Sequence, residues 1–268
     1  MEYMQYLADY PLQIMDAMAF RVENIPNFIA LIFCGTFGYL LYVQGIRVLL
    51  REKTDPYPLY MHCWMITFDI LGAITSWVLA IEHDWFWMFT LFALCVPIWV
   101  VMEAYCIWYG IKHESERALH FEGLSKNGVI SEKKAWFISL GMIALCFCFN
   151  LFAMSMVGGI ENGAYWLFNA FSNYVFALWT WRYWTKRSVA TGTRFGNSMG
   201  LQWIITIQIT LMWVPGLSWN LALTQYFHQP LFYLCGIAMT CLAAYNLYQC
   251  SKLPKKEERL PNGKKPIW

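Results

Sequence analysis

Residues 58–81 read PLYMHCWMITFDILGAITSWVLAI, twenty-four residues in which Asp69 is the one formally charged side chain. A bilayer core takes about 20 mostly apolar residues per helix, because unpaired backbone groups are not tolerated in lipid. This stretch meets that length, and six more blocks of the same kind flank it, at 27–49, 85–111, 135–158, 163–184, 201–223 and 229–250. The composition agrees. Of 268 residues, 59% are hydrophobic and only 13% charged, against about 25% charged in soluble domains. No single soluble core absorbs that apolar excess. A formal net charge of +2, with no basic face outside the loops, excludes nucleic-acid binding. The expected fold class is therefore all-α: a polytopic membrane protein, a seven-transmembrane helix bundle occupying 27–250.

Basic residues test the count. Arg21 precedes the first span, and the other Lys and Arg form four clusters, at 47–53, 112–134, 182–194 and 252–265. Seven spans put all four clusters on one side, and the connections on the opposite side near 82–84, 159–162 and 225–229 hold no Lys or Arg. The positive-inside rule then places the N-terminus outside and the C-terminus in the cytosol. Residues 1–26, with Tyr3, Tyr6, Leu7, Leu12, Ile14, Met15 and Met18, read as an interfacial helix broken near Pro11. The segment lacks a signal peptide's basic start and cleavage site, and is read as retained. Residues 251–268 read as a basic, solvated cytosolic tail. Spans 1–3 and 5–7 around a fourth give a 3+1+3 count, the layout of small transporters built from parallel repeats. Charge placement leaves the choice between plasma membrane and endoplasmic reticulum open.

The nine cysteines lie in or beside the spans with no C-x-x-C pair, so they read as small buried hydrophobes rather than a disulfide or zinc framework. No glycine-rich phosphate loop, G-x-S-x-G, H-E-x-x-H or aspartate-rich diphosphate-binding cluster is present. No cofactor and no metal is expected.

Ionisable residues inside a bilayer are costly and default to functional candidates. Asp69 lies about 16 Å from the cytosolic boundary of span two, and Glu103 about 12 Å deep in span three, at 1.5 Å per helical residue. A very short turn joins these spans, which makes them antiparallel neighbours with carboxyls at similar depth. Two carboxyls in one dry pocket do not both ionise, and the one that keeps its proton is a Brønsted acid. Asp69 and Glu103 are the candidate catalytic pair. The candidate binding residues are His62, Trp64, Phe68, Trp99, Asn150, Asn169, Asn173, Trp213 and Asn246. His62 is two turns before Asp69 on the same face; Asn169 and Asn173 form an i, i+4 polar stripe. Deeper aromatics, Tyr105, Trp166, Tyr174 and Trp179 among them, suit a wall around a cationic intermediate. Pro97 and Pro215-Gly216 mark expected kinks that open a pocket.

The stretch LLREKTDPYPLYMHCWMITFD, 49–69, resembles the entry to span two in the membrane-integral terpene cyclases of fungal meroterpenoid and indole-diterpene pathways. Counted from Pro58, Cys63 falls on that family's Cys, Met65 on its Asn, Phe68 on its Trp and Asp69 on its catalytic Glu. The stretch QPLFYLCGIAMTCLAAYNLY, 229–248, is similar to the family's last helix, whose Asp falls at Ala243 here; Glu103 is then the candidate second acid. The resemblance implies proton-initiated cyclisation of a linear prenyl chain, plain or epoxidised, without metal, with the bilayer and a hydrophobic prenylated molecule as partners. The alternative from the residues is a small-solute transporter with Asp69, Asn169 and Asn173 as midplane ligands. A third reading is an accessory membrane protein whose acids are structural.

Overall fold

The computed structural model describes residues 9–125, 128–178, 180–223, 227–260 and 263–268. Tyr3, Tyr6, Leu7 and Trp179 lie outside them. All regular structure among the described residues is helical: α1 Tyr10–Ala17, α2 Ile25–Glu52, α3 Leu59–Glu82, α4 Trp87–Lys112, α5 Glu114–His120, α6 Glu132–Met156, α7 Asn169–Tyr174, α8 Thr180–Thr191, α9 Met199–Leu211, α10 Trp219–Leu223 and α11 Pro230–Lys252. A single-turn 3-10 helix covers Val22–Asn24 and a two-turn one covers Gly163–Phe168. Five helices, α2 (with the turn before it), α3, α4, α6 and α11, are long and apolar enough to cross a membrane.

The central column is α3. Inside the molecule, 61% of its apolar window is buried, against 17–33% for the other four. It packs along α4 through a tight connection in which Asp84 (φ 49°) and Trp85 (φ 58°) take left-handed backbone, and along α6 on another side. The outer helices turn apolar side chains outward: Phe137 is 79% exposed, Leu145 74% and Leu231 73%. Such faces exceed what a water-soluble monomer presents, and they suit lipid contact.

The expected spans at 163–184 and 201–223 are not single helices. In the first, the chain runs from the 3-10 helix into the six-residue α7, tightens at 175–178 into turns in which each N–H bonds the carbonyl three residues back, and resumes as α8. Asn173 Nδ2 donates back to Asn169 O (2.9 Å) and Asn169 Oδ1 (2.8 Å), the local bonding by which asparagine competes with helical ladders. In the second, α9 ends before Pro215, which lacks an N–H, and Gly216, which sits at φ 78°. Side chains re-satisfy the freed carbonyls, as burial requires. Ser218 Oγ and Asn220 Nδ2 donate to Met212 O at 2.6 and 3.1 Å, and Asn246 Nδ2 donates to Ala177 O at 2.7 Å. By contrast α4 continues through Pro97.

Pro11 sits in the first turn of α1, where its missing N–H costs nothing; the chain before Asp9, on which the expected break also depends, lies outside the described residues. Tyr10, Ile14 and Met18 form an i, i+4, i+8 stripe buried in the main core, packed on Gly163 and Leu79, so this segment is built into the bundle. The tail is not free in solvent. Lys256 Nζ pairs with Glu52 Oε1 (2.5 Å), which also accepts from Ile267 N (2.9 Å). Trp268 O accepts from Gly200 N (3.3 Å) and from Ser198 Oγ. The cause is Glu52: fully buried, its carboxylate must be neutralised and hydrogen-bonded.

α11 meets the end of α9 closely, with Trp213 seated over Gly236 and its Nε1 donating to Thr240 Oγ1 at 2.8 Å. A Cβ at Gly236 overlaps Trp213 Cβ and Cγ. Gly236→Val is therefore expected to destabilise the protein by about 1–3 kcal/mol through overpacking, read as a lowered melting temperature in detergent. Gly141→Ala, where no atom lies within 4 Å, is the neutral control.

Candidate functional site

Helices α2, α3 and α4 and the two interrupted stretches line a partly open hollow, whose space free of protein atoms, about 770 Å³, includes room continuous with the outside. It extends from Leu31 and Phe92 at one end to Leu41, Met65 and Phe176 at the other. The eleven helical steps of α2 from Leu31 to Tyr42 make that about 16 Å. Gly38 and Gly35, one and two turns before Tyr42, keep the α2 wall low. Eight of the 21 lining residues are aromatic, and Asp69 is the only charged one. Trp99 stacks on Tyr42 (5.8 Å, 15°), Phe92 on Trp219 (5.5 Å, 9°). The Tyr42 hydroxyl donates to Asp69 Oδ2 at 3.4 Å.

A polar ladder crosses the opposite wall. Gln208 Nε2 donates to Asn173 Oδ1 (3.3 Å), and Asn173 Nδ2 to Asn169 Oδ1 (2.8 Å). Five further buried atoms belonging to lining residues have no hydrogen-bond partner among the described residues: Trp99 Nε1, Trp166 Nε1, Trp219 Nε1, Tyr165 Oη and Gln208 Oε1. Buried polar atoms are paired in the great majority of cases, so this wall departs from the usual pattern.

Of the residues singled out from the sequence, Asp69, Phe68, Trp99, Trp166, Asn169 and Asn173 line the cavity. The others do not. Asn150 donates to Thr67 Oγ1 (2.9 Å) and ties α6 to α3. Asn246 braces the break at 175–178, Trp213 packs on α11, and Trp64 lies against Phe149 (5.7 Å). Glu103 is 1% exposed and turned from the cavity, hydrogen-bonded to His62 Nδ1. It does not reach Lys112, which pairs with Glu132 at 2.6 Å. His62 Nε2 contacts Asp55 Oδ2 at 2.9 Å, so the histidine joins a loop carboxyl to a membrane carboxyl.

Comparison with family models, with curated proteins and with solved structures finds no match to this chain. The site is therefore read from its own geometry.

Tyr42, Asp55 and Gln208 are the functional-site residues that the sequence reading left out of the candidate set. The spacing of Gly35, Gly38 and Tyr42 on one face of α2 carries the signal for Tyr42. Asp55 sits in the 53–58 loop beneath the cavity, inside a buried ionic network. Arg187 Nη2 bonds Glu116 Oε2 (3.2 Å) and Tyr183 Oη (2.5 Å), and Nη1 donates to Asp55 O. Thr54 Oγ1 donates to Glu116 Oε1 at 2.6 Å. Burial works against ionisation of Glu116, but the Arg187 guanidinium, with His120 and Thr54, overrides it and holds the carboxyl at about 2. Asp55, His62 and Cys106 offer ligand atoms within 4.8 Å of one another, a donor set of zinc type; here His62 Nε2 is engaged with Asp55.

Proposed function

We propose that this protein is a multi-pass membrane enzyme that cyclises a linear prenyl chain, plain or epoxidised, with Asp69 as the proton donor that starts the reaction. One observation carries the reading: a lone carboxyl on the wall of an elongated, ring-lined, otherwise uncharged hollow. Protonating an alkene or epoxide creates a carbocation. Ring faces attract positive charge by about 0.5–2 kcal/mol each, and apolar walls keep out the water that would trap the cation. The resemblance of 49–69 and 229–248 to membrane-integral terpene cyclases points to the same substrate class. In this reading the two interrupted stretches complete seven crossings, with the basic loops cytosolic.

The layers beneath the cavity favour an enzyme. Tyr57, Trp184, Gln202 and Ser198 are all buried there, and the Arg187 network lies across the same end, so the hollow is blind on that side. Protein in nanodiscs is to be incubated with farnesyl- and geranylgeranyl-length chains and their terminal epoxides. The expected result is a ring product of unchanged mass; recovery of every chain intact overturns the reading. Gly35→Phe fills the hollow without a clash at Cβ. It is expected to cut turnover by at least about tenfold, or 1.4 kcal/mol, with Gly35→Ala close to wild type.

One observation favours transport instead: interrupted helices border the cavity, as at transporter binding sites. Cys34 lies on the cavity wall and separates the readings. With the other cysteines replaced, an enzyme pocket admits a lipid-soluble maleimide and excludes a membrane-impermeant one from both faces. A transporter admits the impermeant reagent from each face in turn.

A further inference from the structure

We propose that Asp55, His62 and Cys106 form a buried zinc site that clasps the 53–58 loop to α3 and α4 beneath the hollow.

The three residues come from separate elements: Asp55 from the loop, His62 from the first turn of α3, and Cys106 from the last two turns of α4. All are buried, and each brings a ligand atom to within 4.8 Å of the other two. Tetrahedral zinc holds nitrogen, oxygen and sulfur donors about 3.3–3.6 Å apart. His62 Nε2 and Asp55 Oδ2 stand at 2.9 Å. Seating the ion therefore takes side-chain shifts of about an ångström.

The donors choose the metal. A thiolate with an imidazole and a carboxylate suits Zn²⁺, whereas Mg²⁺ and Ca²⁺ take oxygen ligands. Three other cysteines use their sulfur elsewhere. Cys34 donates to Leu211 O, Cys63 donates to Ser139 O, and Cys250 accepts from Asn197 Nδ2. Cys106 instead faces Asp55 and His62.

The surroundings are those of a metal site. A ligating histidine almost always gives its other ring N–H to a carboxylate, a carbonyl or water, which fixes the tautomer and aims the free nitrogen. His62 Nδ1 meets the Glu103 carboxyl, and Glu103 lies one turn before Cys106 on the same face of α4. Glu103 is thus a positioning residue for the ligand. Asp55 Oδ1 accepts the Tyr57 N–H (2.9 Å), leaving Oδ2 for the ion. Tyr109 Oη donates to Lys53 O (2.9 Å) and Trp184 Nε1 to Pro56 O (2.6 Å), so the loop is held on both sides of Asp55.

Binding exchanges two protons for one divalent ion. The Cys106 S–H bond and the proton between His62 Nε2 and Asp55 Oδ2 give way to Zn–S, Zn–N and Zn–O bonds, and the charge of the buried cluster is unchanged. Three protein donors leave one tetrahedral position for water. None of the three residues lines the hollow. The Tyr57 ring stands against His62 (5.8 Å) and against Phe176 (5.3 Å), which does line it. The ion lies one aromatic layer below the hollow and ties down its floor.

The test uses the full chain in nanodiscs, stripped with a chelator and then given Zn²⁺ or Co²⁺ alone. Elemental analysis after desalting is expected to find one zinc per chain, and zinc is expected to raise the melting temperature. Cobalt is expected to give a thiolate-to-metal charge-transfer band that Cys106→Ala abolishes and Cys34→Ala preserves. Glu103→Gln is expected to keep the stoichiometry and weaken zinc affinity about 10–100-fold, measured by competition with a chelating dye. Wild-type protein that retains no zinc and shows no cobalt band overturns the site, whether or not the variants fold. A cobalt band that survives Cys106→Ala overturns it as well, since another thiol then holds the metal. These readouts need no substrate, so the site stands or falls apart from the cyclase reading.

Discussion

Asp69→Asn is expected to lower prenyl cyclisation by about 10²–10⁴-fold, the range general acid catalysis supplies, while the bundle stays folded. The replacement keeps the shape of the side chain and an oxygen to accept the Tyr42 hydroxyl, so the wall of the cavity is preserved. What it removes is the proton. Asp69 is the only carboxyl among the lining residues, and no neighbour on the wall replaces it as an acid. Product formation by mass spectrometry, beside a thermal melt showing an unchanged fold, checks the claim. Undiminished product from this variant would end the acid role of Asp69 altogether.

Arg187→Met is expected to be the most destabilising single change outside the apolar core, at about 3–5 kcal/mol. Arg187 and Glu116 are each about 4–5% exposed at the side chain, and removing the guanidinium leaves the Glu116 carboxylate buried without its main partner. Adding Glu116→Gln to Arg187→Met removes the stranded charge and is expected to recover part of the loss. The same pair gives a pH signature. Glu116 is held below its unfolded value, to about 2, so its contribution is fully present above the ordinary carboxylate range near 4.5. That contribution is lost as pH falls through the interval from about 4.5 to about 2. Melting curves of wild type across that interval are expected to fall more steeply than those of Glu116→Gln. Parallel curves would show that the network contributes no proton-linked stability.

The long apolar spans and the tight connection between α3 and α4 are plain in the amino-acid order, because hydropathy and the absence of charge report membrane length directly. Helix continuity is not. The stretch 163–184 is long enough to span, yet Asn173 turns its amide onto Asn169 and the α ladder gives way to tighter turns at 175–178, a change that hydropathy does not register. Depth along a helix is also easier to read than direction around it. Asp69 and Glu103 lie at similar depth, but packing aims the first into the hollow and the second toward His62. Asp55 was hidden for another reason: it sits in a loop whose charges look solvated until Arg187, more than a hundred positions later, closes over them. Glu52 likewise draws in the tail from the far end of the chain.

The cavity is walled unequally. On one side stand three long helices, α2, α3 and α4, the last continuous through Pro97. On the other are α7, α9 and α10, short pieces joined by turns, with fewer hydrogen bonds to lose when they shift. Local opening concentrates where such bonding is thin. On the proposed function, a guest would then meet a firm anvil and a yielding pad, with the pad setting how much bulk is accepted. Acid and anvil would stay in register while chains of different length were taken in, so selectivity would reside in where the reactive end meets the carboxyl rather than in the overall size of the guest.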